Sequence, residues 1–430
     1  MDDPQSQESN VDLNQDYISN LPDDLKHQIL IKLPIREVAR TSILSRKWKD
    51  SWVPIPNLVF TEDSTQSKLT KLVDMVLLVH QGPILKFKLV SEHACNDAIR
   101  QWMLVLSRNG IQNLVLKFKG GERCVIPSDF FSCVALKDVY LFNCNINVPQ
   151  FFQGFNQLRT LCLCSFNLSG FSIEKLVSSC PLLDSLKLSN FFQQGCLIVH
   201  ALNLTFLDLF GEFHDLCLET PKLASATIHL STIDGDYKEL SLGNVRNDSN
   251  IIRAIGCLYN IESLDICGEF TEYLGKGHIP EKLPIFFSHL KETFVSIYNS
   301  NQDEISGAVC LFCSAPNLKV LHIEFADNEC EDVLPVELLW NLKANHDKLF
   351  KHLEILNIMF NLQIPESIPL RIAESTLEFA KLVLRRAPVL EKLHLELKYD
   401  VAVTFLKKLE SFPKLSVKAE FTVSEESDRH

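Results

Sequence analysis

The sequence predicts an α/β solenoid, a parallel sheet with helices along it, preceded by a small all-α helical module. Three observations carry this expectation. A short strand pattern recurs from about residue 84 toward the C-terminus at near-constant spacing, helical or irregular stretches separate its copies, and residues 18–56 instead place apolar residues at one-turn spacing between prolines.

Residues 1–17 hold five acidic and no basic residues and read as a disordered acidic N-terminus, too poor in apolar surface to offset the entropy of ordering. From Ile18 the pattern changes. Leu25, Ile29, Leu30 and Leu33 line one face of a first helix, which Asn20 or Asp23 caps, Pro22 opens and Pro34 ends. A second helix fits "IREVARTSILSRKW", with Val38, Ala39, Ile43 and Leu44 apolar, and Trp48 and Trp52 follow one turn apart. So short a module cannot build a stable core alone and must dock onto something. It is also locally basic: Lys26, Lys32, Arg36, Arg40, Arg46, Lys47 and Lys49 face only Asp23, Asp24, Glu37 and Asp50, in a chain of net charge -12. An acidic partner with an apolar groove would complement it.

The recurrent pattern reads "IQNLVLKFK" at 111, "LKDVYLFNC" at 136, "LRTLCLCSF" at 158, "LDSLKLSN" at 183 and "LTFLDLFG" at 204, then "IESLDICG" at 261, "LKVLHIEF" at 318, "LEILNIMF" at 353 and "LEKLHLEL" at 390. Each copy alternates apolar residues at period two behind an apolar anchor. The steps from Leu136 to Leu158, Leu183 and Leu204 lie within the ~20–29 residues of leucine-rich repeats, which predicts an irregular horseshoe of that kind. Stretches such as "GFSIEKLVSSCPL" supply one helix per strand, and longer steps after Leu318 imply irregular repeats there. With the leucines inward, the intervening residues form the concave row: Thr160, Cys162, Cys164, Ser185, Lys187, Phe206, Asp208, Phe210, Asp265, His322, Glu324, Asn357, Met359, Lys392 and His394. Of these, Cys162, Cys164, Lys187, Phe206, Asp208, Phe210, Asp265, His322, Asn357 and His394 are the candidate target-binding set. Phe206 and Phe210 are its best anchors.

An acidic chain repels phosphates and anionic bilayers, so neither nucleic acid nor membrane is expected as a partner. The start shows no secretory pattern and no apolar run reaches spanning length, which leaves a cytosolic or nuclear setting. The fourteen cysteines are then expected reduced. Cys310 and Cys313 have zinc-ligand spacing without a second pair and read as core residues. No cofactor, metal or catalytic motif emerges.

"ISNLPDDLKHQILIKLPIREVARTSILSRKWKDSW" resembles an F-box of the plant type, through Leu21-Pro22-Asp23, the Leu33-Pro34 break and "LSRKW". The repeats, "CPLLDSLKLS" among them, resemble those that plant F-box proteins carry. "LEFAKLVLRRAPVLEKLHLELK" resembles the helix and strand of an FBD domain, although "NLQIPESIPL" intervenes after the preceding strand. The resemblance divides the chain into a disordered lead-in 1–17, an F-box 18–56, leucine-rich repeats 84–345, C-terminal repeats with an FBD-like segment 346–421 and a disordered tail 422–430. It implies a non-catalytic substrate receptor of an SCF-type ubiquitin ligase. The F-box binds the S-phase kinase-associated adaptor, and through it a cullin, while the repeats bind an unknown target protein. Leu21, Pro22, Leu25, Ile29, Leu33, Pro34, Val38, Ser45 and Trp48 match positions that pack the F-box or meet the adaptor. Hormone co-reception in the repeat bowl and scaffolding outside the ligase are the alternatives.

Overall fold

The computed structural model of the chain describes residues 18–33, 35–43, 45–49, 51–62, 66–169, 173–230, 257–275, 286–298, 302–326, 349–361, 370–396 and 407–424. The expected acidic lead-in, Pro34, Leu44 and positions 425–430 of the expected tail lie outside them. Two compact units, Met1–Asn143 and Cys144–His430, make up the chain, and both follow the α/β solenoid plan of parallel strands with helices.

In the first unit, helix α1 (Asp23–Leu30) starts without a side-chain cap. Pro22 holds the N-cap position, and its carbonyl accepts from the amides of Leu25 and Lys26 at 3.0 Å each, so Asn20 and Asp23 do not play the expected part. Asp23 and Asp24 occupy the first turn, where the helix dipole favours negative charge. Helix α2 (Ile35–Arg40) is shorter than its sequence pattern and gives way to a 3₁₀ turn at Thr41–Ile43. The Thr41 hydroxyl donates to the Val38 carbonyl at 2.6 Å, a local bond that competes with continued helix.

Strands β1 (Asn57–Thr61), β2 (Lys86–Ser91), β3 (Asn113–Phe118) and β5 (Asp138–Asn147) pair in parallel in that order, with the short β4 (Cys124–Ile126) beside β5. The sheet thus begins at Asn57, well before the recurrences in the sequence announce it. Helices α3 (Gln66–Val79) and α4 (Asn96–Arg108) make the crossovers. α4 buries Ile99, Trp102, Met103 and Leu106, one helical stripe, against a ring cluster in which Phe87 lies 5.5 Å from Phe60 and 6.5 Å from Trp102. The Trp102 indole N–H finds Asp74 Oδ1 at 2.7 Å, so burying this large side chain strands no donor.

In the second unit, β6 (Thr160–Ser169), β7 (Ser185–His200), β8 (Phe206–Glu219), β9 (Ser225–Leu230), β10 (Ser263–Ile266), β11 (Glu292–Tyr298), β12 (Val320–Ala326), β13 (Ile355–Asn361), β14 (Lys392–Glu396) and β15 (Glu420–Ser424) each pair in parallel with the next. The leucines of each pair, such as Leu186 and Leu188 or Leu207 and Leu209, are fully buried. Helices α5 (Ile173–Ser178), α6 (Gly268–Gly275), α7 (Gln302–Ser314) and α8 (Leu370–Arg386) accompany some strands.

One helix per strand, however, does not hold from β7 to β9. β7 and β8 are long strands whose mutual register shifts between Ser189 and Phe192 and again between Gln193 and Cys196. Only Thr220–Ala224 separates β8 from β9, so the second halves of the long strands must provide the return path that parallel pairing requires. The bend has a repeating cause. Asn143, Ser165 and Asn190, each seven positions past its repeat's anchor leucine, adopt positive φ of 59, 51 and 51°. Gly211 holds this position in β8, where a Cβ would stand 2.6 Å from the Phe191 ring. Past the bend Phe166, Phe191 and Phe213 stack at 5.7 and 6.2 Å. At the other end β15 runs to Ser424, which places residues 422–424 in a paired strand and not in a tail.

Candidate interaction surfaces

The helical module divides its apolar residues between two faces. Leu30, Ile35, Val38 and Trp48 are buried, and the Trp48 indole donates to the Ile18 carbonyl at 3.2 Å. Leu25, Ile29 and Leu33, at four-residue spacing, stay exposed, as do Ile31, Ile18 (60% exposed) and Ile43 (85% exposed). Leu30 therefore does not share the face of Leu25, Ile29 and Leu33; its place inward is one residue round the helix, next to the stem of Lys26, whose ammonium group reaches Asp23 at 3.0 Å. Lys32, Arg40, Arg46, Lys47 and Lys49 of the same module are exposed, Arg40 paired with Glu37 at 2.9 Å and Lys47 bonded to Asn20 at 2.7 Å.

Among the positions matched to an F-box, Pro22 is exposed and Leu21 half-buried. Val38 and Trp48 are 1% and 2% exposed, so they hold the module together and offer no surface to a partner. The Ser45 carbonyl closes the turn to the Trp48 amide at 3.0 Å, and its hydroxyl oxygen is enclosed without a hydrogen-bond partner. Pro34 lies outside the described residues.

The outward residues of the second unit's strands fall into register rows. One row runs Cys162, Lys187, Asp208, Thr227, Asp265, Phe294, His322, Asn357, His394 and Thr422. It collects the expected positions Cys162, Lys187, Asp208, Asp265, His322, Asn357 and His394 on one line. Phe206 and Phe210 flank Asp208 on the same strand and are 38% and 39% exposed. The row is cross-linked by side chains: Lys187 bonds Asp208, His229 Nε2 lies 2.7 Å from Asp265 Oδ1, and His394 Nδ1 lies 2.8 Å from Thr422 Oγ1. His322 Nε2 stands 3.0 Å from Glu292 Oε1 while Asn357 Nδ2 stands 3.0 Å from His322 Nδ1. With the imidazole proton on Nε2 every group in that chain meets a complementary partner.

Cys162 and Cys164 depart from expectation: they are 8% and 7% exposed, with their sulfurs 3.6 Å apart. Short thiols at i and i+2 close onto each other beside the longer Lys187–Asp208 pair and leave almost no surface. The hydrogen bond to Cys164, with burial, holds the Cys162 thiol far above the ordinary range. Burial likewise pushes Cys310 up to about 12, as befits a side chain packed inside α7. Lys187, one of two lysines on these rows, is already engaged by Asp208, whose hydrogen bond raises its pKa.

Thr227, His229, Glu292, Phe294 and Thr422 belong to this surface and escaped the sequence reading. β9 and β11 spell their inward alternation with Ala226, Ile228 and Leu230, and with Thr293, Val295 and Ile297, in place of the leucine pair. Alternation alone would have found them.

Comparison with known proteins bears on both surfaces. A family model described as the LRR repeats of FBD-associated F-box protein At5g56370 matches residues 99–323, and the F-box domain model matches residues 18–56. F-box/FBD/LRR-repeat protein At1g13570 of Arabidopsis thaliana is 33% identical, over 94% of this chain and 97% of that protein. Putative F-box/FBD/LRR-repeat protein At5g22670 of the same plant is 24% identical over 95% of this chain and 98% of its own. Putative F-box/LRR-repeat protein At3g58880, also from Arabidopsis thaliana, is 28% identical over 53% of this chain and 55% of its own.

Proposed function

Because the chain belongs to the F-box/FBD/LRR-repeat family, we propose that it is the substrate-recognition subunit of an SCF-type ubiquitin ligase. Its F-box docks the S-phase kinase-associated adaptor, and through it a cullin, in the cytosol or nucleus; its repeats hold the target, and the chemistry falls to other subunits. The observation that carries this reading is the exposed apolar set Leu25, Ile29 and Leu33 with Ile18, Ile31 and Ile43, inside the stretch that matches the F-box. Isolated apolar side chains on a surface are ordinary, but a set this concentrated on so small a module is costly to leave in water. The basic excess of the module favours an acidic partner. The target-binding surface is the cross-linked row on β7–β15, with Phe206 and Phe210 as anchors.

The test is capture of the full-length chain by the purified adaptor. Wild type should bind. Leu25→Ala/Ile29→Ala should lose at least about tenfold in affinity with an unchanged melting temperature, since two exposed aliphatic side chains are worth about 1.5 kcal/mol or more once buried at an interface. No capture of wild type sinks the ligase reading, and equal capture of both forms sinks the residue assignment.

A further inference from the structure

The open face of β8–β12 combines aromatic rings with carboxylates. Phe206 and Phe210 stand exposed on β8, the Phe210 ring 6.2 Å from the imidazole of His229. Phe294, half-buried on β11, lies in register between Asp265 of β10 and His322 of β12, and Glu292 precedes it by two residues on its own strand. Among the described residues, the outward positions of Phe206–Phe210 and of β9–β13 hold the acids Asp208, Asp265, Glu292 and Glu324 and no lysine or arginine. Lys187 of β7 offsets Asp208. The other three charges stand, since His229 and His322, which meet Asp265 and Glu292, add none as neutral imidazoles. Lysines at the strand starts do not offset them either: Lys291 pairs with Glu262 at 2.6 Å and Lys319 with Glu354 at 2.7 Å, each couple neutral in itself.

We propose that this face docks a basic, extended segment of the target protein, with its lysine or arginine side chains over β10–β12 and an apolar side chain against Phe206 and Phe210. The inference rests on the row being the target-binding surface and adds the chemistry of what that surface takes. A cation laid on the Phe294 ring has Asp265 one strand away and Glu292 on the same strand, so ring and carboxylates act on one charge together. The rings of Phe206 and Phe210 supply the apolar anchor that charge alone lacks. From β8 to β12 the face spans about 19 Å, four strand spacings of about 4.8 Å, which an extended chain crosses in about six residues. A metal ion is a poorer occupant, because among the described residues no three histidine, cysteine or carboxylate side chains converge to hold one. Phosphate-bearing partners meet like charge here.

The experiment measures binding of the full-length chain to fluorescent degenerate peptide pools that differ only in their fixed positions, which carry arginine and lysine, glutamate, or glutamine. Wild type should bind the basic pool about tenfold or more tightly than the other two, in keeping with several exposed ion pairs and a cation on an aromatic ring acting together. The margin should shrink as salt rises from about 50 to about 500 mM. Glu292→Gln/Glu324→Gln should abolish the preference, and Phe206→Ala/Phe210→Ala should weaken the basic pool by about tenfold. Glu122→Gln/Glu410→Gln removes equal charge at exposed positions outside the strands and should keep the preference, which separates this face from the acidity of the whole chain. Loss of the preference in that control pair, its retention in Glu292→Gln/Glu324→Gln, a preference for the glutamate or glutamine pool, or no binding of any pool would overturn the proposal. A glutamate preference lost in Phe206→Ala/Phe210→Ala would overturn the charge assignment and leave the row as the target surface. Capture by the adaptor engages none of these residues, so the ligase reading is judged separately.

Discussion

At Cys124, Cys133 and Cys310 burial pushes the thiol from an ordinary 9.0 up to about 12, and at Cys180 up to about 11. A thiol with a pKa near 12 is thiolate in only about one molecule in ten thousand at pH 8, against roughly one in ten for a free thiol. Iodoacetamide at pH 8 should therefore leave these four cysteines unmodified in the native protein and label them in urea, as read by mass spectrometry of tryptic peptides. The same shifts set a stability window. The folded thiols keep protons that the unfolded chain loses, so the unfolded state is favoured as pH rises from about 9 toward about 12, and the urea midpoint should fall across that interval. At this scale the sequence was a partial guide. It read Cys310 and Cys313 as core residues but left Cys162 and Cys164 on the open face, because alternation records which way a side chain points and not how far a short one reaches past its longer neighbours.

Gly307 lies within α7, where a Cβ would stand 2.0 Å from the Thr271 carbonyl oxygen of α6. Helix propensity alone would favour alanine by about 1 kcal/mol. Packing has the opposite sign: the two helices would have to separate, at a cost of about 1–3 kcal/mol. Gly307→Ala should therefore lower the urea midpoint, and a raised midpoint would show that the contact yields freely. Legibility at the element scale follows from the residues used. Strands built on the leucine pair were readable; β9, with Ala226, and β11, with Thr293, were not, although each keeps the same inward alternation. Thr293 is tolerated because its hydroxyl donates to the Leu264 carbonyl at 2.7 Å. The helices expected between β7, β8 and β9 gave way to bent strands, and the clue was the left-handed residue Asn190, whose conformation its residue type allows but does not announce. In α1 the periodicity located the helix, while the division between Leu30 inward and Leu25, Ile29 and Leu33 outward depended on where Val38 and Trp48 pack.

A solenoid joins each repeat only to its neighbours, so the plan was legible from spacing, whereas the register that aligns Lys187 with Asp208 and His322 with Asn357 needed the fold. The same neighbour-only logic makes the last strand of the second unit matter. β15 pairs along the whole of β14, setting Phe421 beside Leu393 and Val423 beside Leu395. The segment leading into it buries Leu409 and fastens Ser416 Oγ to the Leu390 carbonyl at 2.6 Å. Deleting residues 407–424 would strip the pairing partners from β14 and uncover Leu390, Leu393 and Leu395, presenting an apolar strand edge of the kind that pairs with other chains. The truncated protein should melt about 5 °C or more below the full chain and elute in part as oligomers in size-exclusion chromatography with light scattering. A monomer of unchanged melting temperature would mean that β14 closes the sheet unaided. The outcome also bears on the row of interaction residues, since His394 bonds Thr422 of β15 and would lose that contact with the strand.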